Sequence, residues 1–180
     1  MTQIEFLRSG RRWIGVIALL LVAALGEQAQ GQAQQLGPAT NLPLPRFVSL
    51  KSNLVNIRVG PGSDYPIAWT YVRFGLPVEI TQEFDNWRRV RDSSGNEGWV
   101  LWNLLSGDRS VVVTPSDNGE PLPVRVEPNA DGQITALLEE GVVASVNRCR
   151  DGWCRLVDSR FTGWVEQVRL WGVYPGEEFD

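Results

Sequence analysis

Asn56-Ile57-Arg58-Val59-Gly60-Pro61-Gly62, followed by Gly75, by Asp85-Asn86-Trp87-Arg88-Arg89-Val90 and by Gly98-Trp99-Val100, sets out a pattern that the chain then repeats. Val124-Arg125-Val126-Glu127-Pro128 answers the first element, Gly141 the second, Asp151-Gly152-Trp153-Cys154-Arg155-Leu156 the third and Gly163-Trp164-Val165 the fourth. The offset drifts only from 67 residues (Arg58 to Arg125) through 66 (Trp87 to Trp153) to 65 (Trp99 to Trp164). Self-similarity at a nearly fixed period marks a duplicated structural unit, so every other feature is placed relative to two copies.

Within the first copy, Val55, Ile57 and Val59 alternate with Asn56 and Arg58, the pattern of a half-buried strand, and Gly60-Pro61-Gly62 turns the chain after it. Val78 and Ile80 alternate with Glu79 and Thr81, Trp87 to Arg91 forms the next strand, Asp92 to Glu97 is a turn, and Trp99-Val100-Leu101 closes the set. Five short strands without helical periodicity predict a small all-β barrel. The second copy reads the same way through Val124 and Val126, Leu137-Leu138, Val142 to Val146, Cys154 to Val157 and Trp164-Val165. Domain one is assigned to residues 46–112 and domain two to 113–180, with Asp117 to Pro121 as the joint and the strand-like Val111-Val112-Val113 before it. A domain of about 60 residues buries only about 60% of its unfolded surface. Trp87, Trp99, Trp153 and Trp164 are therefore expected to fill the two cores, and Leu101–Leu105 and Leu170–Tyr174 to form a shared interface.

The amino-terminal segment has basic Arg8, Arg11 and Arg12, an apolar run from Trp13 to Leu25, and small residues at Ala29, Gly31 and Ala33. That order predicts a signal peptide over 1–31, cut after Gly31 or Ala33. An uncleaved anchor is the alternative, but the run is short of the roughly 20 apolar residues that a membrane span needs. After cleavage no stable membrane insertion is expected, which places the protein in the periplasm or outside the cell. Residues 32–45, rich in Gln, Gly, Ala and Pro, read as a disordered tether. Pro43-Leu44-Pro45-Arg46 within it reads either as a stiff spacer or as a polyproline ligand for the neighbouring barrel.

Without residues 1–31 the chain holds 14 basic and 19 acidic side chains, a balance that argues against nucleic acid as a partner. Residues 46–112 carry eight basic against seven acidic groups and residues 113–180 six against twelve. The two copies have diverged on their surfaces. Cys149 and Cys154 flank Arg150-Asp151-Gly152-Trp153, and an Asp-Gly hairpin would set them across one ladder, where an exported protein forms a disulfide. The chain has no histidine, which removes the base of Ser-His and Cys-His hydrolases and leaves no ligand set for zinc. The acidic pairs Glu83 with Asp85 and Glu139 with Glu140 read as solvated surface, since glycosidase chemistry needs two carboxyls about 5–9.5 Å apart across a cleft. Neither an enzyme nor a cofactor nor a metal site is expected.

The first copy, from Asn56-Ile57-Arg58-Val59-Gly60-Pro61-Gly62 through Asp85-Asn86-Trp87 to Gly98-Trp99-Val100, resembles the bacterial SH3-like (SH3b) domain. Leu104-Leu105-Ser106-Gly107-Asp108-Arg109 and Leu170-Trp171-Gly172-Val173-Tyr174-Pro175 are similar to the closing segments of tandem SH3-like proteins exported by alphaproteobacteria. The resemblance implies two five-stranded, partly open barrels in tandem after a signal peptide. It also implies a binding role at the cell envelope, for peptidoglycan or for envelope proteins and peptides. The second copy departs from it, with Pro123 at the place of Asn56 and Glu127 at that of Gly60. Such barrels present ligand-facing side chains in and after the first long loop, so the candidate binding residues are Tyr65, Trp69 and Tyr71, with Asn56 and Arg58 on the strand before it. Trp69 reads equally as an exposed contact or as core. The expected function is a non-enzymatic module that binds peptidoglycan or envelope peptides through domain one. A periplasmic protein–protein adaptor without wall binding is the alternative.

Overall fold

Alternation of buried and exposed side chains runs through both copies: Val55 and Ile57 are fully buried around an exposed Asn56, and Leu122 and Val124 around a half-buried Pro123. A computed structural model describes residues 35–180; the expected signal peptide over 1–31 and the first residues of the expected tether lie outside the described residues. The strands are β1 (Gln35–Leu36), β2 (Pro43–Leu44), β3 (Arg46–Leu50), β4 (Val55–Arg58), β5 (Ile67–Tyr71), β6 (Pro77–Phe84), β7 (Trp87–Arg91), β8 (Glu97–Leu101) and β9 (Leu105–Ser106). The second copy supplies β10 (Ser110–Val113), β11 (Leu122–Arg125), β12 (Ile134–Leu138), β13 (Val143–Arg150), β14 (Trp153–Val157), β15 (Thr162–Glu166) and β16 (Leu170–Trp171). Two seven-stranded antiparallel sheets result, in the orders β5-β4-β8-β7-β6-β3-β9 and β12-β11-β15-β14-β13-β10-β16. The described chain is thus all-β, two small barrels in tandem, each a five-strand set (β4–β8, β11–β15) widened by β3 and β9 or by β10 and β16. Among the described residues no helix is long and apolar enough to cross a membrane.

Local chemistry accounts for the repeated motifs. At the Gly of each Gly-Trp-Val element a Cβ would collide, at Gly98 with Ile57 and at Gly163 with Val124 and the Arg125 carbonyl, so only glycine lets β8 and β15 cross so close to β4 and β11. Asp85-Asn86 and Asp151-Gly152 are two-residue hairpin turns between the paired Phe84 and Trp87 and between Arg150 and Trp153, with Asp85, Asp151 and Gly152 at positive φ. The tight turn sets Cys149 opposite Cys154, and the two form the expected disulfide.

Each barrel has its own core. Val48, Leu50, Val55, Ile57, Val78, Ile80, Val90 and Val100 make the first, and Val111, Val113, Leu122, Val124, Leu156 and Val165 are prominent in the second. The tryptophans expected there are elsewhere. Trp87, Trp99 and Trp153 are half-buried on the side opposite Val90, Val100 and Leu156, and Trp164, though covered, belongs to neither core cluster. The period of two already separates Trp87 from Val90 and Trp99 from Val100, and aliphatic volume alone fills the cores.

Two organisational expectations need correction. Ser110–Val113 is the first strand of the second sheet, pairing with β13 and β16, so the boundary lies before residue 110; Asp117 to Pro121 is a loop inside domain two. Residues 35–45 are not a disordered tether. β1 pairs with β2, Leu44 is buried in the first core, and the turn between them is bound to Glu83: Thr40 Oγ1 donates to the carboxylate at 2.7 Å and the Ala39 and Thr40 amides at 3.0 Å. Pro43 and Leu44 therefore act as a strand of this arm rather than as a free spacer or ligand.

Glu83 also receives Arg46 Nη2 at 2.7 Å and lies 3.4 Å from Arg88 Nε, its ladder partner. At the offset of 66 residues, Glu83 and Arg88 fall on Cys149 and Cys154. One cross-strand site is thus a buried ion pair in the first barrel and a disulfide in the second. Each is covered by a chain segment outside its five-strand set, the arm of residues 35–45 in the first case and Phe179 in the second, whose N–H and C=O both bond to Cys149.

The barrels meet through the carboxy-terminal segment. Phe47 on β3 packs edge-on against Trp171, ring centroids 4.9 Å apart, and at a tilt of 43° against Tyr174 at 4.7 Å. Tyr174 Oη donates to Glu79 Oε1 at 3.0 Å, and Arg109 donates to both Glu177 carboxylate oxygens and to the Gly172 carbonyl. Leu170–Tyr174 thus serves the interface as expected. Leu101–Leu105 does not, because Leu104 and Leu105 pack on their own core and Trp102 is exposed.

Candidate functional site

The loop after β4 is held by its own backbone. Arg58 Nη1 donates to the Tyr65 carbonyl at 2.6 Å, the Val59 amide to the Pro66 carbonyl at 3.1 Å, and the Tyr65 ring lies on Gly60, where a Cβ would run into it. Glycine at 60 is what lets the ring settle there while nearly half of its surface stays exposed. The second copy keeps the Arg125 bond to the Gly132 carbonyl but has Glu127 at the place of Gly60 and Gly132 at that of Tyr65.

Among the described residues β5 ends its sheet and pairs with β4 alone. Residues opposite one another in an antiparallel ladder share a face. Trp69 opposes Ile57 and Tyr71 opposes Val55, which places both rings on the core side at the open mouth of the barrel; Thr70 opposes Asn56 on the other side, its hydroxyl donating to Asn56 Oδ1 at 2.8 Å. The five predicted residues are therefore divided. Tyr65, Trp69 and Tyr71 form one aromatic group, while Asn56 faces away and Arg58 braces the loop.

Trp69 and Tyr71 are each half-buried, with rings edge to face at 6.0 Å, so both readings of Trp69 apply to different parts of one side chain. Tyr71 Oη donates to Asp92 Oδ2 at 2.7 Å, and Asp92 also accepts the Ser94 and Asn96 amides at 2.9 Å. Burial, then the Asp92 carboxylate, push the Tyr71 phenol above its ordinary range. Asp92 resists ionisation through burial, but the bonds from Tyr71, Asn96 and Ser94 outweigh that and hold it below the usual carboxylate range. A fixed carboxylate thus sits at the end of an aromatic edge bordered by exposed Leu54, Val59, Ile67, Val72 and Phe74. In the second copy Trp69 and Tyr71 are answered by Ala136 and Leu138.

Glu83, read from sequence as solvated, is enclosed: burial raises its pKa, but Arg46, Thr40, the Ala39 amide and Arg88 together bring it down to about 2. Such a carboxylate stays ionised and fully bonded, and Asp85 beside it is a turn residue. Trp102, which sequence reasoning placed at an interface, stands on the rim of a cleft of about 310 Å3 floored by Phe47, Val48 and Ile80. Among the described residues no group of acidic or cysteine side chains is placed to hold a metal.

The family model described as bacterial SH3 domain matches residues 51–107 and 118–172. A Bacillus subtilis (strain 168) protein, YrvJ, which carries the name of a candidate N-acetylmuramoyl-L-alanine amidase, is 30% identical over 120 residues, 62% of this chain and 23% of its own length. The chain thus spans less than a quarter of that relative. Among solved structures, NlpC2 and NlpC1 from Trichomonas vaginalis are each 15% identical, with TM-scores of 0.32 and 0.31, over 71% and 75% of this chain and 48% of each of theirs.

Proposed function

Since the chain belongs to the bacterial SH3 domain family, we propose that it is a non-enzymatic envelope-binding module whose first barrel recognises peptidoglycan or envelope peptides through Tyr65, Trp69 and Tyr71. The observation that carries this reading is the asymmetry of the copies. Only the first has an aromatic edge at the barrel mouth, and aromatic faces beside a polar anchor suit both sugar rings and extended peptides. The amidase name carried by YrvJ agrees with a wall-directed role, and the Cys149–Cys154 disulfide with an oxidising compartment, periplasmic or secreted.

A protein adaptor is the second reading, favoured by the unpaired edge of β5, which an extended peptide could lengthen by one strand. Co-sedimentation of the purified protein with sacculi separates the two. Retention at moderate salt, weakened about tenfold by Tyr65→Ala with an unchanged melting temperature, supports wall binding. No retention at any salt assigns the edge to a protein partner.

A further inference from the structure

Trp99 and Trp164 are equivalent residues in different surroundings. Ladder pairing sets Arg58, Trp99, Arg89 and Gln82 in one row across β4, β8, β7 and β6, and Arg125, Trp164, Arg155 and Arg148 in the matching row of the second barrel. Both rows lie on the outer side, away from the cores. In the second barrel the guanidinium of Arg150 sits 5.0 Å above the Trp164 ring, leaving the residue 7% exposed, and Arg148 is paired with Asp180. That tryptophan is closed by its own chain.

In the first barrel the residue at the place of Arg150 is Phe84, which is 54% exposed. Among the described residues nothing equivalent to a guanidinium covers Trp99, and the ring instead lines a cleft of about 420 Å3 with Phe84, Pro38, Pro61, Gln35 and Gln82. That size lies within the range of about 300–1,000 Å3 found for ligand sites. The arm of residues 35–45, ordered by its bonds to Glu83, supplies one wall.

The lining selects the ligand. Two aromatic rings and two prolines give flat apolar surface, and two primary amides give paired donors and acceptors at its edge. The charged neighbours are already committed: Glu83 to Arg46 and Thr40, Arg58 to the Tyr65 carbonyl, Arg89 to Glu97. Such a surface fits an uncharged ring with one C–H face and a girdle of hydroxyl or acetamido groups. We infer that the Trp99–Phe84 cleft is a saccharide subsite for an uncharged pyranose. The inference goes beyond the function proposed above, since this site is distinct from the Tyr65–Tyr71 edge.

The test is an NMR titration of the full chain, following assigned tryptophan indole N–H signals against the tetrasaccharide of N-acetylglucosamine and against cellotetraose, which separate acetamido from hydroxyl recognition. The Trp99 signal is expected to shift saturably with at least one of them at millimolar concentration. Phe84→Arg, which installs the closing group of the second barrel, should weaken this about tenfold or more, and Tyr65→Ala should leave it unchanged. Gln82→Ala, an exposed position, should weaken it severalfold and serves if Phe84→Arg does not fold. The inference is overturned if Trp99 responds to neither saccharide, if Phe84→Arg or Gln82→Ala binds like wild type, or if binding follows Tyr65. Sacculus retention that persists while Trp99 ignores both sugars removes this subsite and leaves the edge proposal standing.

Discussion

Replacing Glu83 by glutamine keeps the shape of the side chain and removes its charge, which isolates what the carboxylate does for the first barrel. Its pKa is held at about 2 against 4.5 for the free side chain, and the gap is worth about 3 kcal/mol at 1.36 kcal/mol per pKa unit. The side chain has no exposed surface but lies just beneath the surface of the barrel, so the figure is an upper value. Because the folded value lies below the unfolded one, the stabilisation is complete above pH 4.5 and drains away as pH falls toward 2; at pH 3 about 2 kcal/mol of it is gone.

At pH 6 the Glu83→Gln protein should be less stable than wild type by about 3–5 kcal/mol, since the amide leaves the mostly buried Arg46 and Arg88 without a counter-charge. Urea unfolding followed by tryptophan fluorescence at pH 6 and pH 3 measures both terms. The other depressed carboxylates, Asp92, Asp158 and Glu177, titrate in both proteins and cancel in the difference. The gap between wild type and variant should narrow by about 2 kcal/mol on acidification. Hydrogen exchange at pH 6 should also show the Ala39 and Thr40 amides losing protection in the variant, because the one remaining side-chain oxygen turns to the Arg46 and Arg88 guanidinium groups and the NH2 then faces the two amide donors. Unfolding curves that stay equally far apart at the two pH values, with both amides still protected, would refute the clasp.

Two further outcomes follow from the packing. Trp87→Ala should cost about 1–2 kcal/mol, well under the roughly 3–5 kcal/mol of a core aromatic truncation, because the ring is half-buried on the outer face; a thermal melt showing a core-sized loss would return it to the interior. The disulfide should resist reductant in the folded protein, since Cys149 and Cys154 are both buried, and once cut under denaturing conditions should lower stability by about 2 kcal/mol, as expected for so short a loop. Thiol labelling with and without denaturant, followed by a melt of the reduced protein, checks both parts.

The duplication, the strand alternation and the Asp-Gly hairpin were legible because each is a local pattern: Val55 and Ile57, Val124, and the opposition of Cys149 to Cys154 all follow from spacing alone. The arm was not, because its order comes from bonds between Thr40 and Glu83, 43 residues apart, and its Gln, Gly and Pro content carries no trace of them. β3 escaped for a related reason, and Val111–Val113 was legible as a strand but not as a member of the second sheet: an apolar run such as Ser110–Val113 belongs to whichever sheet supplies its partners, here β13 and β16. For the tryptophans the signal was present and overruled. Trp99 lies out of phase with Val100, and the period of two places it outside, yet the expectation that a small domain needs its aromatics for the core prevailed. At the binding edge, Tyr65, Trp69 and Tyr71 do assemble, whereas Asn56 and Arg58 were grouped with them by proximity in sequence, which an alternating strand divides between two faces.

The shared cross-strand position, ionic in one barrel and covalent in the other, makes the two halves of this chain answer to different chemical agents. Protons undo the first lock and electrons the second, and neither agent reaches the other's target directly. The covers differ as well. Glu83 draws three of its hydrogen bonds from Ala39 and Thr40, so a proteolytic cut just after Thr40 would leave those donors on a detached stretch, while the Cys149–Cys154 bond would survive loss of Phe179. The same topology has thus been fitted with one fastening that trimming can undo and one that it cannot.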